Sequence, residues 1–117
     1  MFAVTLTRIA DLPVLRFEGA LVFGPPIETL RLAVRDLGST VSRVVIDVAA
    51  LDQVDSSGIG AMLRLQGDLQ RSGGGVVLVQ PSEHVRSTLK TLRVEALFPA
   101  AGTAFEAARM LAENTHQ

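Results

Sequence analysis

The feature that most constrains the fold of this sequence is the β-branched run Val44-Val45-Ile46-Asp47-Val48. A run that is apolar on both of its faces predicts a strand buried in the middle of a sheet. Residues 51–58, which follow it, are predicted to form a polar loop that ends in helix-capping residues. A helix is then predicted over residues 59–72, because Gly73-Gly74-Gly75 would end it.

Shorter signals on both sides of this strand predict the other elements. Upstream we expect a β-hairpin around Ala10-Asp11-Leu12-Pro13 and a helix over residues 26–37, opened by Pro25-Pro26 and ended by Gly38. Downstream we expect a strand at residues 76–79, a helix from Pro81-Ser82 to about residue 92, a short strand at Phe98 and a helix over residues 103–112. Thr103 and Glu106 fit a capping box for that last helix. The polar residues 113–117 are expected to fray.

This order of elements predicts one α/β domain over residues 1–117. Its mixed four- to five-stranded sheet starts with a β-hairpin, and about four helices pack against it. A chain of 117 residues can close one hydrophobic core, and 48% hydrophobic against 20% charged residues is typical of a compact protein. The sequence shows no internal repeat or linker.

Composition excludes several classes of function. A net charge of −1 with no basic stripe argues against a nucleic-acid partner. The chain has no Cys, so thiolate metal sites and cysteine nucleophiles are excluded. The first residues lack the pattern of a signal peptide and no apolar run approaches a spanning helix, so we expect a cytoplasmic protein without direct membrane insertion.

The residues of hydrolases and metalloenzymes are also missing. The two histidines, His84 and His116, have no spacing that suits a metal, and His84 is expected to be a solvated surface residue. Ser56 lacks the Gly-x-Ser-x-Gly pattern of a serine nucleophile. Gly73-Gly74-Gly75 carries no Lys and ends a helix, so it predicts a turn and not a phosphate-binding loop. We therefore expect no enzyme activity, no metal and no cofactor.

The candidate site is the segment Asp55-Ser56-Ser57-Gly58-Ile59-Gly60, which lies between the buried strand and a helix. The first backbone N–H groups of a helix have no partner within it, and the helix dipole adds positive charge there. A phosphate on a serine at this point would be stabilised. The alternative is that Ser56 or Ser57 is an ordinary N-cap and that Asp55 only caps the loop.

The surroundings of this segment resemble the STAS domain family, the domain of bacterial anti-sigma factor antagonists. The resemblance extends from Val14 to Leu111 and includes several matches in order: Phe17-Glu18-Gly19-Ala20-Leu21, Val45-Ile46-Asp47-Val48, Asp55-Ser56-Ser57-Gly58-Ile59-Gly60, Gly73-Gly74-Gly75, residues 92–98 and Glu106-Ala107. The sequence departs from the family at Gly19-Ala20-Leu21-Val22, where a turn with two acidic residues is common. That departure leaves the identity of the kinase partner open.

The resemblance implies a site and a mechanism. It makes Ser56 the phosphoacceptor, with Asp55, Ser57, Gly58 and Gly60 supporting the loop and the helix start. It implies that the unphosphorylated domain binds an anti-sigma factor that is also a serine kinase, so that the sigma factor is released. Phosphorylation ends the binding and a serine phosphatase restores it. Whether the domain also forms a homodimer stays open.

Several roles have two interpretations. Asp55 either orients the acceptor hydroxyl and contacts the kinase or only caps the loop. Gly58 and Gly60 either admit a partner or pack where no side chain fits. The apolar arc of the helix after Ser56 is wide, so we expect an exposed edge that binds the partner or, alternatively, packing on both sides. The residues assigned to this partner surface are Ile59, Met62, Leu63, Leu21 and Phe23.

Two other functions remain open beside the phosphorylation switch. One is a non-switching STAS scaffold or subunit of a stress-signalling or lipid-transport complex, in which Ser56 is only a cap. The other is a sensor of a small ligand or nucleotide, for which the sequence has no pocket signature.

Overall fold

A computed structural model, which describes residues 1–114, has five strands, four α-helices and one short 3-10 helix. In chain order the elements are β1 (Phe2–Ile9), β2 (Leu12–Leu21), α1 (Pro25–Leu37), β3 (Arg43–Val54), α2 (Ser56–Arg71), β4 (Gly75–Val79), α3 (Glu83–Thr91), the 3-10 helix (Glu95–Leu97), β5 (Ala100–Ala101) and α4 (Ala104–Asn114). The predicted α/β domain that starts with a hairpin is confirmed.

The strands form one sheet in the order β1-β2-β3-β4-β5. β1 and β2 are antiparallel, while β2, β3, β4 and β5 are parallel to their neighbours. The carboxyl ends of these four parallel strands therefore lie at one edge of the sheet, which is where α/β proteins place their binding sites. Phe23, Asp55, Ser82 and Thr103 follow these ends.

Apolar side chains of β3 alternate between two cores, one on each side of the sheet. Val44 and Ile46 pack with residues of α1, α2 and α3, whereas Val45 packs with residues of α4. All three side chains have 0% exposure. The prediction of a central strand covered on both faces is confirmed.

Two segments differ from the sequence predictions. Residues 51–54 are part of β3 and not a loop, because they pair with the end of β2 as Leu51 with Gly19 and Val54 with Leu21. The family-like turn expected after the second strand, at Gly19-Ala20-Leu21-Val22, consequently lies mostly within β2. As a result α2 begins at Ser56, three residues earlier than residue 59, where the sequence placed its start.

The last part of the chain also differs in detail. Phe98 is buried directly after the 3-10 helix, and the last strand is Ala100–Ala101. The predicted cap of α4 is confirmed, since Thr103 Oγ1 accepts a hydrogen bond from the Glu106 backbone N–H at 3.1 Å. Helix α4 continues through Asn114, so the first residues expected to fray are helical, and residues 115–117 lie outside the described part. Among the helices of residues 1–114, none combines the length and the hydrophobicity that a membrane span requires.

Candidate functional site

The start of α2 is stabilised by the side chain of Asp55. This residue has an extended backbone, and its Oδ1 accepts a hydrogen bond from the Gly58 backbone N–H at 2.9 Å. Asp55 is therefore the N-cap, which satisfies one of the free N–H groups of the first turn. The alternative that Ser56 or Ser57 is the N-cap is wrong, because both are already helical.

The second carboxylate oxygen of Asp55 reaches a different segment. Its Oδ2 accepts a hydrogen bond at 3.0 Å from the backbone N–H of Phe23, which lies 32 residues earlier in the chain. The Asp55 backbone N–H also points to the Leu21 carbonyl at 3.4 Å. Asp55 thus joins the segment after β2 to the start of α2, and both of its oxygens are occupied by backbone donors. This arrangement favours the capping role of Asp55 over contact with a kinase.

These contacts also set the protonation of Asp55. Partial burial raises the pKa of its carboxyl, but hydrogen bonds from backbone N–H groups, chiefly those of Phe23 and Gly58, outweigh burial and hold the pKa below its ordinary value. Asp55 is therefore ionised at neutral pH. Any second negative group placed beside it would lie next to a negative charge.

Ser56 and Ser57 are presented differently. Ser56 is the first residue of α2, its side chain is exposed, and its hydroxyl has no hydrogen-bond partner among residues 1–114. Ser57 is half-buried and lines a surface groove next to Phe23. Of the two hydroxyls, that of Ser56 is the more accessible to another protein.

The two glycines of the segment are in opposite environments. A Cβ atom on Gly58 would lie 2.1 Å from the Leu21 carbonyl oxygen and 2.8 Å from Val54 Cγ2, so Gly58 is required by packing between α2 and the sheet. A Cβ atom on Gly60 would meet nothing within 4 Å. Gly60 is exposed in the second turn of α2, and packing within the chain does not explain it.

The predicted partner surface needs correction. Leu21, Ile59 and Met62 have at most 1% exposure and belong to the hydrophobic core, so the prediction that they lie on an exposed surface is wrong. The apolar arc of α2 is wide because the helix packs against both the sheet and α1. Leu63 is half-buried against the core, and only Phe23, at 81% exposure, is fully available to a partner.

A groove between α1 and α2 opens beside the serines. Its volume is about 510 Å³. We call it the α1–α2 groove, and its lining residues are Phe23, Gly24, Ile27, Glu28, Ser57, Gly60, Ala61 and Arg64. A smaller depression of about 130 Å³ adjoins it and shares Ile27, Ala61 and Arg64. The groove therefore continues along the two helices, away from the serines.

His84 makes a contact that the sequence did not reveal. It is exposed, as predicted, but its Nε2 accepts a hydrogen bond at 3.2 Å from the backbone N–H of Val54, the residue before Asp55. The imidazole thus supports the end of β3, one residue before Asp55. Within residues 1–114 no group of three His, Asp or Glu side chains could hold a metal ion.

The comparisons with known proteins agree with this architecture. A family model for the STAS domain matches residues 3–107, so the chain belongs to the STAS domain family, as its resemblance predicted. Among proteins with curated functions none matches significantly.

Solved structures with this fold include anti-sigma factor antagonists. SpoIIAA in its unphosphorylated form is 24% identical with a TM-score of 0.76, over 95% of this chain and 97% of that one. SpoIIAA of Bacillus in its phosphorylated form is 23% identical with a TM-score of 0.70, over 92% and 98%. A putative anti-sigma factor antagonist of Thermotoga maritima is 18% identical with a TM-score of 0.83, over 93% and 94%. At these identities the likeness establishes the fold, and the chain is a STAS domain that resembles the SpoIIAA type.

Proposed function

We propose that this chain is an anti-sigma factor antagonist switched by phosphorylation of Ser56. In the unphosphorylated state it binds an anti-sigma factor that is also a serine kinase, which releases the sigma factor. The kinase phosphorylates Ser56 and so ends the binding, and a serine phosphatase restores it. The chain acts in the cytoplasm as a binding protein and catalyses no reaction itself.

The observation that carries this proposal is the presentation of Ser56. A kinase must reach the acceptor hydroxyl and withdraw its proton, and the Ser56 hydroxyl is exposed and free of hydrogen bonds within the described chain. The Asp55 cap holds the backbone around it in one conformation. The similar fold of SpoIIAA, whose structure is known in phosphorylated form, supports the same assignment.

The charge of a phosphate accounts for release of the partner. A phosphoserine carries about −1.5 to −2 charges at neutral pH. Backbone N–H groups at the start of α2 can stabilise this charge in the free protein. A partner seated close to Ser56 would have to desolvate the phosphate and accept it beside ionised Asp55, so binding becomes unfavourable without refolding of the domain.

The test is phosphoryl transfer with purified proteins. The chain is incubated with ATP and, one at a time, the anti-sigma factor serine kinases of the source organism, and its intact mass is measured. We expect the mass to rise by one phosphate group in wild type and in Ser57→Ala, and not in Ser56→Ala. Equal phosphorylation of Ser56→Ala would refute the assignment of Ser56. Absence of transfer to wild type from every kinase would favour the non-switching scaffold.

A further inference from the structure

The two edges of the sheet are built differently. The edge strand β5 has only the residues Ala100–Ala101 and follows Pro99, so it offers little backbone to another strand. The other edge strand, β1, runs over Phe2–Ile9 and pairs with β2 along its whole length without a bulge. Proteins protect edge strands by short length, proline, lysine or bulges. β5 has two of these protections and β1 has none of them.

Every second residue of β1 has backbone groups that point away from the sheet. The Met1 carbonyl accepts a hydrogen bond from the Ala20 N–H at 2.8 Å, and hydrogen-bonded positions recur at every second residue of an antiparallel pair. The odd-numbered residues of β1 therefore bond to β2. This agrees with Pro13, which has no N–H, standing opposite Arg8. The outward groups belong to Phe2, Val4, Leu6 and Arg8, and no strand within residues 1–114 pairs with them.

The side chains of β1 suit pairing with a second copy of the same strand. Leu6 lies in the middle of the strand and is 44% exposed although it is apolar. Arg8, the only charged residue of the strand, is near one end. Phe2 is at the other end, and its half-buried ring lies 5.3 Å from that of Phe17. When two such strands run antiparallel, the cation of each meets the aromatic ring of the other and not a second cation.

We propose that two copies of this chain form a homodimer by antiparallel pairing of their β1 strands. The two-fold axis passes beside Thr5, because this register alone pairs all four residues that have outward backbone groups. Phe2 then lies opposite Arg8 of the second copy, and Val4 lies opposite Leu6 of the second copy. Each such pair exchanges two hydrogen bonds, so about eight form across the axis. The two five-stranded sheets become one continuous sheet.

The proposed contact is small and lies apart from the candidate phosphorylation site. A single strand buries less surface than most specific interfaces, so the dimer is weak and depends on concentration. Contact between Leu6 and Val4 covers apolar surface that the monomer exposes. Helix α2 begins after β3, which is two strands away from this edge, so both copies keep Ser56 accessible. The dimer therefore does not depend on the proposed switch.

Crosslinking through an introduced cysteine tests the register. The chain has no Cys, so Thr5→Cys and Thr7→Cys each supply the only thiol, at exposed positions on the same face of β1. In the proposed dimer the two Thr5 residues form a non-hydrogen-bonded pair with Cα atoms about 4.5 Å apart, which suits a disulfide. The two Thr7 residues are about 14 Å apart along the strands. Under mild oxidation Thr5→Cys should therefore form disulfide-linked dimers at least about tenfold faster than Thr7→Cys, measured on non-reducing gels.

A charge placed in the middle of the edge tests the contact without a crosslink. Leu6→Lys puts two cations close to the axis, and lysine is a common protection of natural edge strands. Sedimentation equilibrium should show dimerisation at least about tenfold weaker than in wild type. Leu97→Lys is the matched control, because Leu97 is 49% exposed in the 3-10 helix, outside β1. It should leave dimerisation unchanged, and circular dichroism of both variants should match wild type.

The outcomes separate this inference from the proposed function, because every measurement uses the chain alone. A wild type that stays monomeric at concentrations up to about 1 mM would overturn the dimer and leave the switch at Ser56 standing. Crosslinking of Thr5→Cys no faster than that of Thr7→Cys would overturn it as well. A dimer that Leu6→Lys does not weaken would use another surface, which also contradicts the proposal.

Discussion

Replacement of Asp55 by alanine tests the hydrogen bonds that connect the segment after β2 to the start of α2. The change removes the N-cap acceptor of Gly58 N–H and the acceptor of Phe23 N–H. Loss of an N-cap costs about 1 kcal/mol, and loss of one further hydrogen bond costs about 1 kcal/mol. We therefore expect Asp55→Ala to lower the free energy of unfolding by about 2 kcal/mol at pH 7.

The assay is urea unfolding followed by far-UV circular dichroism, since the chain has no Trp or Tyr for fluorescence. Asp52→Ala is the matched control. It removes an equal charge from an exposed residue of β3 whose side chain has no hydrogen-bond partner within the described residues, and we expect a change of no more than about 0.5 kcal/mol. If Asp55→Ala and Asp52→Ala are equally stable, the hydrogen bonds of Asp55 do not stabilise the domain and the predicted loss is wrong.

The stability difference between wild type and Asp55→Ala should also depend on pH. Because the pKa of Asp55 is lower in the folded than in the unfolded chain, its ionisation stabilises the folded state. The contribution is complete above the unfolded value of about 3.9 and is lost as pH falls through the lower folded value. The stability difference between wild type and Asp55→Ala should therefore be constant from pH 7 to about pH 5 and shrink in stronger acid. A difference that grows in acid would contradict this account.

Three further variants test other contacts of α2 and of the end of β3. Gly58→Ala should destabilise the domain by more than about 2 kcal/mol, measured by urea unfolding, because the Cβ atom would collide with the Leu21 carbonyl. Gln66→Leu should lower the free energy of unfolding by about 2–3 kcal/mol in the same assay, because the side chain of buried Gln66 makes two short hydrogen bonds. It accepts one from the Val76 N–H at 2.7 Å and donates one to the Leu97 carbonyl at 2.7 Å. If Gln66→Leu is as stable as wild type, these hydrogen bonds do not stabilise the domain. His84→Ala should cost about 1 kcal/mol and increase amide hydrogen exchange at Val54, whose N–H loses its acceptor.

The sequence was most informative where local pattern and tertiary structure agree. The β-branched run of β3 predicted a strand covered on both faces, and the segment from Asp55 to Gly60 predicted a helix start after it. The extension of β3 to Val54 was not predictable from local pattern, because residues 51–54 have polar members and become a strand through pairing with β2.

The details of the candidate site depend on contacts between distant parts of the chain. The hydrogen bond from Phe23 N–H to Asp55 joins residues that no local motif connects. The burial of Met62 follows from the position of α2 between the sheet and α1, which a helical wheel cannot reveal. The sequence alone does not distinguish Gly58 from Gly60. The structure shows that packing requires a glycine at position 58, whereas a side chain at position 60 would meet no neighbouring atom.

The most direct measurement of the central claim is the affinity of one anti-sigma factor kinase for two forms of this chain. The unphosphorylated chain and the chain fully phosphorylated on Ser56 are titrated by calorimetry into the same kinase without nucleotide. Because a partner seated at Ser56 must desolvate the phosphate beside ionised Asp55, which costs several kcal/mol, the phosphorylated form should bind at least about a hundredfold more weakly. Equal affinity of the two forms would mean that a charge at the start of α2 does not control the partner.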